Sequence, residues 1–324
     1  MKSIVIQFAV AMAAAVSAVA AHAEFPDKPI RIVVPYPPGG GTDAISRLIA
    51  QKLQTSLGQP TLVDNRPGAS EQVAMNFVTK APADGYTIGL STTGGLTVNP
   101  SLYGSRLTYD PQKDLAPIIH AATLPNVFFV NPNVPVKTVA ELTEYLRKNP
   151  GKLSYASTGP GQPSHLAMEL YKRQAGVSVV HIPYKGGTPA LQDLVGGQVE
   201  VMVAVAGEGM PFANVGKLRA LAVASTSPTA LYPQLPAAGE TQALKGFDVP
   251  VWFAYVAPAG TPKPIINKLN KAINEALSDP EVRAKLATIG IEPGGGTPEA
   301  LEARIKAETA KWSKVVADAG IKLD

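Results

Sequence analysis

Short β-branched runs alternate with helically spaced apolar positions along nearly the whole chain. Ile30-Arg31-Ile32-Val33-Val34, bounded by prolines, predicts a buried strand. Ile45, Leu48, Ile49, Leu53 and Leu57 then recur at helical spacing until Gly58 supplies a stop. Residues 61–63 predict a second strand, residues 70–81 a helix, and residues 86–90 a third strand ending in Ser91-Thr92-Thr93-Gly94-Gly95. Residues 118–130 hold two apolar runs split at Pro125, which suits a segment crossing between lobes. Thr138-Val139-Ala140-Glu141 is a capping-box signature, and Asn149-Pro150-Gly151 ends the helix it opens.

The pattern then restarts. Residues 153–156 predict a strand, Ser157-Thr158-Gly159-Pro160-Gly161 a loop, and Ser164 lies near the start of the next helix. A strand over 177–182 leads into Pro183-Tyr184-Lys185-Gly186-Gly187, and Thr188-Pro189 opens another helix. Residues 200–205 and 218–223 add strands. Residues 249–256 are long and aromatic, a candidate second crossing; Trp252 and Phe253 within it are more simply strand packing than a ligand platform. Three helices follow, opened by Thr261-Pro262, Asp279-Pro280 and Thr297-Pro298.

Strands alternating with helices predict an α/β chain with parallel sheets flanked by helices, and ligands in such sheets sit outside the carboxyl ends of the strands. Two crossings make this two lobes facing each other. The expected division is a leader at 1–23, a first lobe at 24–124, a second at 125–253, and a return to the first at 254–324. Trp252 would then lie in the hinge, so its fluorescence should report closure while Trp312, in the last helix, stays silent.

Glycine-rich, donor-bearing loops fall at the expected cleft in both halves. Gly39-Gly40-Gly41-Thr42-Asp43 joins the first strand to a helix N-terminus, where unpaired N–H groups and the helix dipole favour an anion. The same glycines would also serve an ordinary tight turn; recurrence around Thr92-Thr93, Gly159 and Gly186 favours the anion reading. Asp43 at a helix start is more simply explained by the dipole than as a general base. Lys185 could pair with a ligand carboxylate or be a solvated loop charge.

Composition narrows the class. Residues 1–23 carry Lys2, an alanine-rich apolar run and Ala21-His22-Ala23, which reads as a cleavable signal peptide and predicts a periplasmic protein. Cysteine is absent, which excludes disulfides, thiolate metal sites and lipid attachment through cysteine. The formal net charge of +4 comes from scattered residues, and aromatics are 6 %, so no nucleic-acid surface is expected. No P-loop or dinucleotide fingerprint occurs, and no cofactor or metal is expected. His120, His165 and His181 form no metal spacing. Ser164 and His165 are adjacent, but no Gly-x-Ser-x-Gly elbow exists; a hydrolase using either residue is the alternative class.

The stretch from Phe25-Pro26-Asp27-Lys28-Pro29 through Tyr36-Pro37-Pro38-Gly39-Gly40 closely resembles the start of Bug-family proteins, the solute receptors of tripartite tricarboxylate transporters. The likeness continues through Asn65-Arg66-Pro67-Gly68-Ala69, Lys80-Ala81-Pro82-Ala83-Asp84-Gly85-Tyr86-Thr87, His181-Ile182-Pro183-Tyr184-Lys185-Gly186-Gly187, Asp193-Leu194-Val195-Gly196-Gly197-Gln198-Val199 and Gly216-Lys217-Leu218-Arg219-Ala220-Leu221-Ala222-Val223. It implies a two-lobed type II periplasmic-binding fold, each lobe a mainly parallel sheet flanked by helices, that clamps a small mono- or dicarboxylate without chemistry. It also implies a monomer that delivers its ligand to inner-membrane transporter subunits. Ligand contacts are expected at Tyr36, Gly39, Gly40, Gly41, Thr42, Asp43, Thr92, Thr93, Ser157, Thr158, Gly159, Gly161, His165, Tyr184, Lys185 and Gly186. The chain departs from the family at Ser70-Glu71-Gln72, where small residues are usual, and at Ala204 and Ala206-Gly207-Glu208-Gly209.

Overall fold

The structure, a computed structural model, describes residues 25–321, so the leader expected at 1–23 lies outside the described residues. The first lobe opens with β1 (Ile30–Val34), α1 (Gly41–Leu57), β2 (Thr61–Asn65), α2 (Gln72–Thr79) and β3 (Thr87–Thr92). Gly58 closes α1 in the left-handed conformation, φ 72°, which a side chain would disfavour. A wide helical turn, Gly94–Val98, then runs into α3 (Asn99–Tyr103), and β4 (Leu115–Leu124) leads to the first crossing at Pro125.

The second lobe holds β5 (Asn126–Val130), α4 (Val139–Lys148), β6 (Ser154–Ser157), α5 (Pro163–Ala175), β7 (Val180–Pro183), α6 (Gly187–Gly196), β8 (Val201–Val205), α7 (Ala206–Asn214) and β9 (Arg219–Val223). The chain returns through β10 (Val251–Pro258), α8 (Lys263–Ser278), α9 (Pro280–Thr288), β11 (Glu292–Gly295) and α10 (Pro298–Asp318). Three of the predicted caps form: the side chains of Thr138, Asp279 and Thr297 accept backbone N–H groups at the starts of α4, α9 and α10. Thr188 and Thr261 do not cap: α6 already starts at Gly187 behind Gly186, and α8 starts at Lys263 behind Pro262 while the Thr261 hydroxyl donates to Pro258 O. Sequence reading missed α7, whose Gly207, Gly209 and Pro211 are poor helix formers; burial of Ala206 and Met210 against the second sheet outweighs that propensity.

Strand order is β11-β4-β10-β3-β1-β2 in one sheet and β7-β6-β8-β5-β9 in the other. Alternate residues of one strand feed opposite faces: Ile32 and Val34 enter one apolar cluster and Val33 another, as do Phe128 and Phe129 in the second sheet. The two-lobed α/β arrangement is as expected, but the sheets are mixed rather than mainly parallel. The βα units pair in parallel, β1 with β2 and β3, and β6 with β7 and β8. The strands next to the crossings, β4, β5 and β10, add antiparallel pairs, because chain arriving from the opposite lobe enters each sheet from the cleft end.

The return crossing also falls earlier than the expected boundary at 254. Val251 already pairs with Leu124, and the whole of β10 lies in the first sheet. The passage between lobes is the stretch before it, pinned to the second lobe where Val249 N–H donates to Ala224 O at 2.9 Å and Asn126 Nδ2 donates to Val249 O at 2.7 Å. Helix α10 is likewise shared between lobes. Its Leu301 and Ile305 pack under the first sheet, while Trp312, Val315 and Val316 join the second-sheet cluster with Phe128 and Tyr171.

Candidate ligand-binding cleft

A cavity of about 230 Å³ lies between the lobes. Tyr36, Glu71, Thr92 and Thr93 wall it from the first lobe, and Pro160, Gly161, Gln162 and Leu166 from the second. The return crossing, at 249–251, and Trp312 of α10 complete the wall. Of the residues expected from sequence, Tyr36, Thr92, Thr93 and Gly161 are brought together here.

The remaining expected residues do not line this cavity, and several of their donors have partners within the chain. Gly39 N–H donates to Asp43 Oδ2 at 3.0 Å, while Arg47 Nε and Asn65 Nδ2 donate to the same carboxylate at 2.9 and 3.0 Å. The Arg47 hydrogen bond holds the Asp43 carboxyl below its ordinary range. Gly40 and Gly41 then serve as N-cap and first residue of α1, with Thr42 buried behind them. In the second lobe, Thr158 N–H donates to Ser164 Oγ (2.9 Å), Gly159 N–H to Ser157 Oγ (3.2 Å) and Gly161 N–H to His165 Nδ1 (3.0 Å). Tyr184 O–H donates to Asp193 at 2.7 Å, Lys185 is exposed, and Gly186 caps α6 at φ 116°. A Cβ at Gly187 would stand 2.7 Å from Glu208 Oε2, so a carboxylate of the chain lies beside the start of α6 as well. The N–H groups of Gly39, Thr158, Gly159 and Gly161 are thus already engaged by side chains close by in the sequence.

Glu71 was not among the expected contacts, yet it dominates the first-lobe wall. Ala69, Ser70 and Glu71 all have positive φ (46°, 50° and 76°), a strain of about 1 kcal/mol or more per residue. Asn99 Nδ2 holds the turn through Ser70 O and Tyr103 O–H through Ser70 Oγ, both at 2.8 Å. The turn drives the Glu71 carboxylate inward. Ser91 Oγ donates to Oε2 at 2.7 Å and Thr92 N–H at 3.2 Å; Tyr36 O–H donates to Oε1 at 3.2 Å, and Thr92 Oγ1 donates to it too. Gly95 leaves the room: a Cβ there would fall 2.3 Å from Oε2. Burial pushes the Glu71 carboxyl upward, while its donors favour the ionised form; burial, and then Glu71, also raise the Tyr36 phenol, whose hydroxyl meets Glu71. The sequence signal was the acidic residue itself, in a turn of otherwise small residues.

The alternative nucleophile pair is not assembled: Ser164 Oγ faces Thr158 and His165 Nδ1 faces Gly161. His165 instead stacks on His181, ring centroids 4.0 Å apart, and His181 Nε2 lies 2.6 Å from Ser157 Oγ. Burial, and then His181, press the His165 pKa from 6.5 down to about 4. Between those values the unfolded chain binds more protons at this group than the folded one. Its contribution is therefore present above pH 6.5 and lost as pH falls toward 4, up to about 2 kcal/mol at pH 5. Thermal melts at pH 7 and pH 5 should show a smaller acid loss for His165→Gln than for the wild type; equal losses would place the acid sensitivity elsewhere.

Residues 45–321 match the family model of the tripartite tricarboxylate transporter family receptor. The chain belongs to that family. BugT of Bordetella pertussis is 37 % identical over 304 residues, covering 92 % of this chain and 91 % of BugT. Rpa4515 of R. palustris, solved with adipate, is 37 % identical with a TM-score of 0.77 over 92 % of this chain and 99 % of that one. MatC of Rhodopseudomonas palustris, solved with bound malate, is 32 % identical with a TM-score of 0.71 over 90 % of this chain and all of that one. As a member of this receptor family the chain is a solute-binding protein of the Bug type, and no helix among the described residues is long and apolar enough to cross a membrane.

Proposed function

We propose that this receptor works as a periplasmic monomer that clamps a small carboxylate-bearing metabolite between its lobes and delivers it, unchanged, to a tripartite tricarboxylate-type membrane transporter. The observation that carries the reading is the cavity walled by both lobes and closed at one side by the return crossing. The adipate and malate held by two relatives support a carboxylate as the ligand class. Tyr36, Thr93 and Gly161, with Gln162 beside the start of α5, are the residues we assign to ligand contact, and lobe closure about the two crossings traps the ligand.

Native mass spectrometry of protein recovered from the periplasmic fraction should reveal an intact co-purified organic acid. Hydrolysis of candidate esters by the purified protein would instead favour an enzyme. A second test uses fluorescence. Trp252 is fully buried in the first sheet with its indole N–H on Glu308, whereas Trp312 lines the cavity. The ligand-dependent signal should therefore vanish in Trp312→Phe and persist in Trp252→Phe, the reverse of the assignment from sequence. A signal that follows Trp252 would move the cleft away from this cavity.

A further inference from the structure

The first-lobe end of the cavity is built to hold a carboxylate, and the chain already supplies one. Four donors converge on Glu71: the hydroxyls of Tyr36, Ser91 and Thr92 and the Thr92 N–H. A carboxylate has about four lone-pair positions, so Glu71 and its donors saturate each other and leave none of these donors for an incoming anion. The remaining wall carries no compensating charge: among the described residues lining the cavity there is no lysine, arginine or histidine. Much of it is apolar, from Val98, Leu102, Leu166, Val249 and Trp312. A second anionic group brought beside Glu71 would be buried next to a like charge with no partner, an arrangement that costs far more than an apolar end does. The opposite end differs: Pro160, Gly161, Gln162 and Pro163 line it, and Glu71 is the one acidic residue among the described lining residues.

We infer that Glu71 acts as a built-in anion that sets the charge of the ligand: the cleft takes compounds with one carboxylate and an apolar body, and rejects dicarboxylates. This rests on the proposal that the cleft binds small carboxylates and deepens it to a ligand class. Glu71 is thus a specificity-determining residue, and its three-residue strained turn is what holds the carboxylate in the wall. The turn and the space at Gly95 act together: the turn drives the carboxylate inward, and a Cβ at Gly95 would stand 2.3 Å from Glu71 Oε2 and 2.5 Å from Ser91 Oγ.

Hexanoate and adipate test this directly, since they share a six-carbon chain and differ by one carboxylate. Calorimetric titration should show wild type binding hexanoate about tenfold or more tighter than adipate. Glu71→Gly suits the positive φ at this position and frees the four donors, so it should raise adipate affinity about tenfold or more. Glu71→Gln, which keeps the shape and removes the charge, should shift the preference the same way and serves if the glycine variant folds poorly. Wild type binding adipate as tightly as hexanoate, or variants that leave the ratio unchanged, would overturn the role of Glu71 while the carboxylate reading stands. Binding of neither acid by any of the three proteins would overturn both.

Discussion

Glu308→Ala is expected to lower stability by about 3–5 kcal/mol, the range for removing one partner of a buried charged pair. Both carboxylate oxygens of Glu308 lie 2.9 Å from Trp252 Nε1, and Arg304 Nε is 3.0 Å from Oε1. The Arg304 guanidinium also lies over the Trp252 ring, 4.7 Å from its centroid. Trp252 is fully buried in β10, so alanine at 308 strands an indole N–H in the core and leaves Arg304 beside it without its carboxylate. Glu308→Gln keeps one acceptor for the indole and should cost less than half as much. Denaturant titration of the two variants checks this. A small effect of Glu308→Ala would mean that water reaches Trp252 Nε1 and that α10 is looser on the first sheet than its contacts imply.

The second large effect is at the other end of the same helix. Trp312→Ala should cost about 3–5 kcal/mol and lower the melting temperature by roughly 10 °C, through lost apolar burial and the cavity left behind. Trp312 is 3 % exposed, packs in the second-sheet cluster and forms part of the cleft wall. Its indole N–H has no hydrogen-bond partner among the described residues. Phenylalanine refills most of the volume and removes that unpaired donor, so Trp312→Phe should melt within a few degrees of wild type. Melting curves of both variants decide the matter: if alanine is tolerated as well as phenylalanine, α10 does not brace the lobes. Because Glu308 is held by the first sheet and Trp312 by the second cluster, the helix ties the lobes together on the side of the crossings.

Elements and their ends could be read from sequence wherever their causes are local. Short apolar runs predicted β1, β8 and β9, helical spacing and Gly58 bounded α1, and the Thr138, Asp279 and Thr297 caps formed as expected, whereas Thr188 and Thr261 did not cap. The two-lobed α/β fold followed from the order of these elements and from the family resemblance. Each of those signals is satisfied within a few residues, so the local sequence states it fully. The destination of a donor is different. The sequence marks loops rich in donors but not what those donors meet: a neutral side chain, as for Gly159 and Gly161, or the chain's own carboxylate, as for Gly39. Asp43 answers that question four residues from Gly39, Glu71 answers it 20 residues from Ser91, and Glu208 lies 21 residues from Gly187. Likewise the placements of Trp252, fully buried on Glu308 56 residues away, and of Trp312, in the cleft wall and the second-sheet cluster, come from contacts distant in sequence. Local hydrogen bonding and periodicity determined the elements; only folding decided which charges meet across them, because that depends on distant chain brought within hydrogen-bond reach.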